Sequence, residues 1–133
     1  MNEIKFISKI HKRLNPKIYR WKINDRYHGG IPDTFYSGPG GFCFVEYKYI
    51  PKIPKKQTTL LKFKLTEQQR AWLNKQASFG VPVYTAFAAG EHVLFTDSFT
   101  TCEFTVQEFK ENAVSVQQFI DLLTIICLDN GQN

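Results

Sequence analysis

Two acids and a lysine stand at a spacing that can do chemistry: Asp33 in Gly30-Ile31-Pro32-Asp33, then Glu46 and Lys48 in Glu46-Tyr47-Lys48. Between them Gly38-Pro39-Gly40-Gly41 is flanked by apolar, aromatic runs, which predicts a β-hairpin with arms Asp33 to Ser37 and Phe42 to Tyr49. A loop of two residues or of four centres the turn between positions 39 and 40, so Asp33 falls opposite Glu46; a three-residue loop would slip the register and separate them. Directly opposed residues share a face with Cβ atoms roughly 4.5–5.5 Å apart, and strand periodicity adds Lys48 to that face. Facing carboxylates repel unless something offsets them, and a divalent cation would. Magnesium takes one or two carboxylates and keeps several waters, leaving room for a phosphate oxygen and an attacking water, while an ammonium two residues on can orient that water or stabilise developing charge. The chemistry so implied is metal-dependent phosphodiester hydrolysis. Against it stands a solvated hairpin face with incidental charges. That reading is weakened by Phe35, Phe42 and Phe44 on the acids' face and Cys43, Val45 and Tyr47 on the other, since a strand apolar on both faces is expected to be central.

The elements that must position these residues follow from the flanking sequence. Residues 2–14 place Ile4, Ile7, Ile10 and Leu14 at helical spacing, with Asn2 as cap and Asn15-Pro16 as terminator. Glu3, in the first turn, is either a helix-dipole carboxylate or a supplementary metal ligand if this helix packs beside the hairpin. Lys17 to Asn24 alternates Tyr19, Trp21 and Ile23 with Arg20 and Lys22, the pattern of a half-buried strand, and a turn over 25–30 holds Arg26 and His28. Lys22 and Arg26 are candidate phosphate contacts. The proline-bearing stretch 51–59, with Lys52, Lys55 and Lys56, reads as a loop, either a clamp beside the site or a solvated insertion. Leu61, Phe63 and Leu65 alternate with Lys62 and Lys64 in a short extended segment. Thr66-Glu67-Gln68-Gln69 is a capping box opening a helix that Gly80 stops, so Gln69 already has a structural role. Two strands over 81–88 and 92–96 follow, then two more capping boxes, Thr105 to Glu108 and Ser115 to Gln118, each opening a helix.

A chain of 133 residues, 43% hydrophobic and 15% aromatic, predicts one domain with its own core. Met1 to Lys5 has no apolar signal region and no run approaches the ~18 residues of a membrane span, so a cytoplasmic protein, without membrane contact, is expected. Cys43, Cys102 and Cys127 are too few and too scattered for a disulfide framework or a zinc site, and His11, His28 and His92 match no metal or triad spacing. The net charge of +5 conceals a division: residues 1–64 hold 14 Lys/Arg against 4 Asp/Glu, and residues 65–133 hold 3 against 8. A basic half around an acidic pair suits a polyanionic substrate drawn to a metal.

The order helix, strand, hairpin, helix, strand, with Pro32-Asp33 and Glu46-Tyr47-Lys48 on the hairpin, resembles the PD-(D/E)xK nuclease superfamily. Together with Leu65 to Leu73 and Gly80-Val81-Pro82-Val83, it looks like the virus-type replication-repair nuclease and archaeal Holliday-junction resolvase branch, over about residues 2–97. The resemblance implies an α/β, restriction-endonuclease-like core, α-β-β-β-α-β around a central mixed sheet, with extra helices over about 98–130. It implies Mg2+ or Mn2+ held by Asp33, Glu46 and the Tyr47 carbonyl, with Glu3 completing the site, Lys48 orienting the nucleophilic water and Gln69 assisting. DNA is the expected partner, with Lys22, Arg26, Lys52, Lys55, Lys56 and Lys62 as candidate contacts, and the setting is the host cytoplasm if the chain is viral. The long segment between Lys48 and Leu65 and the helices after residue 98 depart from the branch. The leading expectation is a small metal-dependent DNA endonuclease acting on branched or single-stranded DNA. The alternative is a non-catalytic nucleic-acid- or protein-binding module on the same fold. A homodimer through the apolar C-terminal helix is compatible with either.

Overall fold

The computed structural model describes residues 1–24 and 29–129. In chain order the elements are α1 (Glu3–Arg13), β1 (Tyr19–Lys22), β2 (Thr34–Gly38), β3 (Gly41–Ile50), β4 (Leu60–Lys62), α2 (Glu67–Ser78), β5 (Val83–Ala89), β6 (His92–Thr96), β7 (Glu103–Thr105), α3 (Val106–Asn112), β8 (Val114–Ser115) and α4 (Val116–Leu128). Six strands form one sheet in the order β1-β2-β3-β5-β6-β8, and β4 pairs with β7 in a second, two-stranded sheet. The β3–β5 pair is parallel and the other pairs are antiparallel, so the sheet is mixed. The strand with apolar residues on both faces, β3, is central, between β2 and β5.

The hairpin register is the one an even loop requires. Gly38 pairs with Gly41 around Pro39 and Gly40, and Thr34 pairs with Val45, which sets Asp33 against Glu46 one step further on. The turn is glycine-rich because the end of α4 lies over it: a Cβ on Gly40 would meet the Asp129 backbone, and the Gly40 N–H donates to the Cys127 carbonyl at 2.7 Å.

On one face of the sheet α1 and α4 bury Phe6, Ile7, Ile10, Phe119, Ile120 and Leu123 against Tyr36, Cys43, Val45 and Tyr47. Truncating a side chain such as Phe119 to Ala would cost roughly 3–5 kcal/mol. The other face is covered in part by β4, β7 and α3, through Leu61, Phe63 and Phe109 on Phe87, and in part by α2, through Leu73 and Trp72 on Val83 and Phe44. All three capping boxes form, at Thr66, Thr105 and Ser115, and Gly80 follows α2 with φ +83°. The three cysteines are free thiols.

One feature differs from the sequence expectations. The segment after residue 97 contains two strands as well as helices: β7 pairs with β4, β8 pairs with β6, and both are too short to show an alternation. The apolar stripe of α4 packs on its own chain's sheet, leaving Leu122 and Ile125 as its exposed large apolar side chains. In β1 the alternation leaves open which side faces inward. Tyr19 and Trp21 face solvent, whereas Arg20 turns to α1 and donates to the backbone carbonyls of His11, Asn15 and Ile18. The reason is position: β1 is the sheet's edge, α1 covers only one of its faces, and Arg20 satisfies the carbonyls there. Among the described residues no helix is long and apolar enough to cross a membrane.

Candidate metal centre

Three carboxylates converge from three elements. Asp33 stands just before β2, Glu46 lies in the middle of β3, and Glu3 reaches in from the first turn of α1; one oxygen of each lies within 4.8 Å of the others. Asp33 is anchored by the backbone: its Oδ2 accepts from the Tyr47 N–H at 3.1 Å. A strand residue's N–H and C=O point to the same neighbour, so the Tyr47 carbonyl opens on the Asp33 side of β3. Glu3 keeps its place at a helix start, where the dipole favours an acid, and joins the cluster as well.

Glu46 is 2% exposed. Its Oε2 lies 3.6 Å from the Lys48 ammonium and accepts from Gln69 Nε2 at 3.3 Å; its Oε1 is buried without a hydrogen-bond partner. Burial first and the charge of Asp33 second push its carboxyl up to about 9, against the opposing pull of Lys48. Glu3 is raised too, by desolvation and then by Asp33. Three acids, two of them holding protons more tightly than usual, and one buried oxygen with nothing to bond are what a cation site looks like before its charge is supplied. The donor set is hard oxygen, which fits Mg2+ or Mn2+.

Gln69 has two partners. Its Oε1 accepts from the Thr66 N–H at 3.0 Å, closing the capping box, while its Nε2 reaches Glu46. Capping and site roles do not compete, because an amide has an acceptor at one end and donors at the other. The start of α2 is brought to the site by Gly29 and Gly30. A Cβ on Gly30 would collide with the Gln68 carbonyl, and its φ of +90° is one that glycine tolerates. The Gly-Gly pair was legible as a turn, but its packing on α2 was not. Also missed was Thr85, fully buried and paired with Glu46 across the parallel ladder, which in sequence is one more strand threonine.

The structure thus brings together Glu3, Asp33, Glu46, Lys48, Gln69 and the Tyr47 backbone. It does not bring the other described candidates into the cluster. Lys22 lines a groove between α1 and β1 with Ser8, His11 and Lys12, near enough for its charge to be felt at Glu3. Lys52, Lys55 and Lys56 are exposed on the loop after β3, and Lys62 is on the second sheet, opposite Glu103. Arg26 and His28 lie outside the described residues.

No family model and no curated protein matches the sequence. In structure the chain is similar to Hjc, a Holliday junction resolvase from the archaeal hyperthermophile Archaeoglobus fulgidus, with a TM-score of 0.53 and 12% identity over 90% of this chain and 92% of that one. A mixed central sheet flanked by helices, superposing on that protein along nearly the whole of both chains, is a restriction-endonuclease-like α/β fold.

Proposed function

We propose that the chain is a single metal-dependent endonuclease domain that hydrolyses phosphodiester bonds in DNA, on branched or single-stranded substrates. The observation that supports this most is the meeting of Glu3, Asp33 and Glu46, with Lys48 and Gln69 both on the Oε2 of Glu46. In this reading Asp33, Glu46, Glu3 and the Tyr47 carbonyl hold Mg2+ or Mn2+. Such an ion, when bound, polarises a phosphoryl oxygen and lowers the pKa of a coordinated water.

The side chains divide the remaining work. Asp33, held through Oδ2 by the Tyr47 N–H, is set facing Glu46 with its carboxylate directed into the cluster. Lys48, on the acids' face, orients the attacking water or stabilises the charge that grows on the phosphoryl oxygens. Gln69 holds Glu46 from the end of a capped helix, so the ligand's orientation is set before substrate arrives. Lys22, with Arg26 and the lysines at 52, 55, 56 and 62, would contact backbone phosphates, which position a strand without reading its sequence.

The test is magnesium-dependent cleavage of a panel of single-stranded, duplex and branched DNA by wild type, Asp33→Ala and Lys48→Ala. Cleavage by wild type and its loss in both variants is the expected result. No cleavage of any substrate by pure wild type, or undiminished activity in both variants, overturns the reading; tight DNA binding without metal binding would make the chain a binding module.

A further inference from the structure

The face of the sheet that holds the acids continues away from them as a surface of rings. Strand parity puts Tyr19 and Trp21 of β1, Phe35 of β2, and Phe42 and Phe44 of β3 on the same side as Asp33, Glu46 and Lys48. Phe35 is the hub, with ring centroids 6.5 Å from Tyr19, 6.4 Å from Trp21, 6.0 Å from Phe42 and 5.0 Å from Phe44, and Phe44 meets Trp72 of α2 at 5.4 Å. Phe44 is covered by Trp72 of α2, whereas the outer rings are open: Tyr19 is 58% exposed, Trp21 50% and Phe42 42%. An edge strand that shows Tyr and Trp to water carries an aggregation risk that folding alone does not explain.

We infer that this face is a stacking platform for unpaired nucleobases of the strand whose phosphate lies at the acidic cluster, an inference that rests on the nuclease reading and deepens it by naming the substrate class. Three observations favour bases over another occupant. Every large side chain that β1, β2 and β3 present on this stretch is aromatic, and aromatic faces stack with any base. The platform begins two residues along β2 from Asp33, so a strand with its phosphate at the acids lays its next bases on Phe35 and Trp21. Residues 1–64, which include every ring of the platform but Trp72, carry 14 Lys/Arg against 4 Asp/Glu; Arg20 and Lys22 turn to the α1 side and Lys48 stands on the platform's own face, and that net charge suits a polyanion better than a second copy of the same basic chain.

The experiment measures binding with metal chelated, so that nothing is cut. Labelled oligo-dT and an abasic phosphodiester strand of equal length are titrated with wild type, Tyr19→Ala, Trp21→Ala and Trp21→Phe, each checked for folding by circular dichroism. Each Ala variant is expected to weaken oligo-dT binding about tenfold and leave the abasic strand unchanged, with Trp21→Phe recovering most of the loss. Equal weakening on both strands, or on neither, overturns the platform, as does a wild-type dimer in light scattering that Trp21→Ala dissociates. Cleavage in magnesium is read separately. A protein that cuts but binds oligo-dT independently of Trp21 keeps the nuclease and loses the platform, and one that binds through Trp21 but never cuts does the reverse.

Discussion

The two faces of β3 bury polar groups in opposite ways. Behind the strand, Tyr47 Oη meets Tyr36 Oη at 2.7 Å, Tyr36 Oη meets His11 Nε2 at 2.8 Å, and Thr34 Oγ1 donates to the Val45 carbonyl at 2.8 Å. Each group is neutral and partnered, so this face behaves as a core that happens to contain oxygens. In front, one residue away, Glu46 is equally buried, keeps one oxygen without a partner, and faces two further acids. A stable fold has no need of that second arrangement. Neutral networks hold a structure together, and an incompletely satisfied charged one leaves room for a ligand.

The largest expected effect follows from Glu46. Glu46→Gln should lower cleavage by about 10^3-fold or more, through loss of a ligand and of the charge that Lys48 faces. Metal-free stability should move the other way. The folded carboxyl titrates at about 9 against 4.5 when unfolded, so the folded state holds the extra proton, and stability falls as pH rises between those values. Glutamine removes that slope. The variant should therefore melt higher than wild type at pH 8 in chelator, and magnesium should no longer raise its melting temperature. If wild type and variant melt alike in chelator and respond alike to metal, the two faces of β3 do not differ in how they bury polar groups.

Gln69 tests whether the front face depends on its supports. Gln69→Ala removes both ends of the amide's bonding at once. About one kcal/mol of stability should go with the capping box, and metal affinity, read by manganese calorimetry, should fall roughly 10–100-fold. Thr66→Ala separates the two, since it breaks the cap from the other side and leaves the Gln69 to Glu46 bond available. A Thr66 variant with metal affinity as poor as Gln69→Ala would show that helix placement, not the hydrogen bond, is what matters.

Much of the front face could be read from the sequence, and for one reason. Side-chain period two fixes which residues oppose each other once the loop is even, so Gly38 to Gly41 offered the Asp33 and Glu46 pair for a loop of two or four residues, and the two-residue loop of the structure selects it. The capping boxes were legible for a similar reason, because their partners are three residues apart. What could not be read was set by distant segments. Whether Tyr19 or Arg20 of β1 faces inward depends on where α1 lies, and alternation shows only that two sides exist. The strands β7 and β8 form because β4 and β6 offer edges to them. Glu3 had two readings in sequence, and only the packing of α1 brings its carboxylate to within 4.8 Å of the other two acids.

Behind β3 the expected effects are on stability alone. Tyr36→Phe deletes the middle of the hydroxyl chain and leaves Tyr47 Oη fully buried without Tyr36 to bond. It should cost roughly 1–3 kcal/mol in urea unfolding while cleavage under saturating magnesium stays within about twofold. A Tyr36→Phe protein of unchanged stability that cuts poorly would mean that the rear network works for the site in front.

The smallest effect is at His11, where the rear chain meets solvent. Desolvation, then the charges of Arg20 and Lys22, lower its pKa from 6.5 to about 4. The folded state thus holds the ring neutral while the unfolded chain protonates it, so its contribution to stability is present above 6.5 and is lost as pH falls towards 4. Wild type should therefore weaken across that window more steeply than His11→Gln, which keeps an amide that can bond Tyr36 but cannot take the proton. The difference should vanish at pH 8. That limit separates His11 from Glu46, whose slope runs the other way and lies higher in pH, so thermal melts from pH 4 to 9 on the two variants read one face of the strand at each end of the scale.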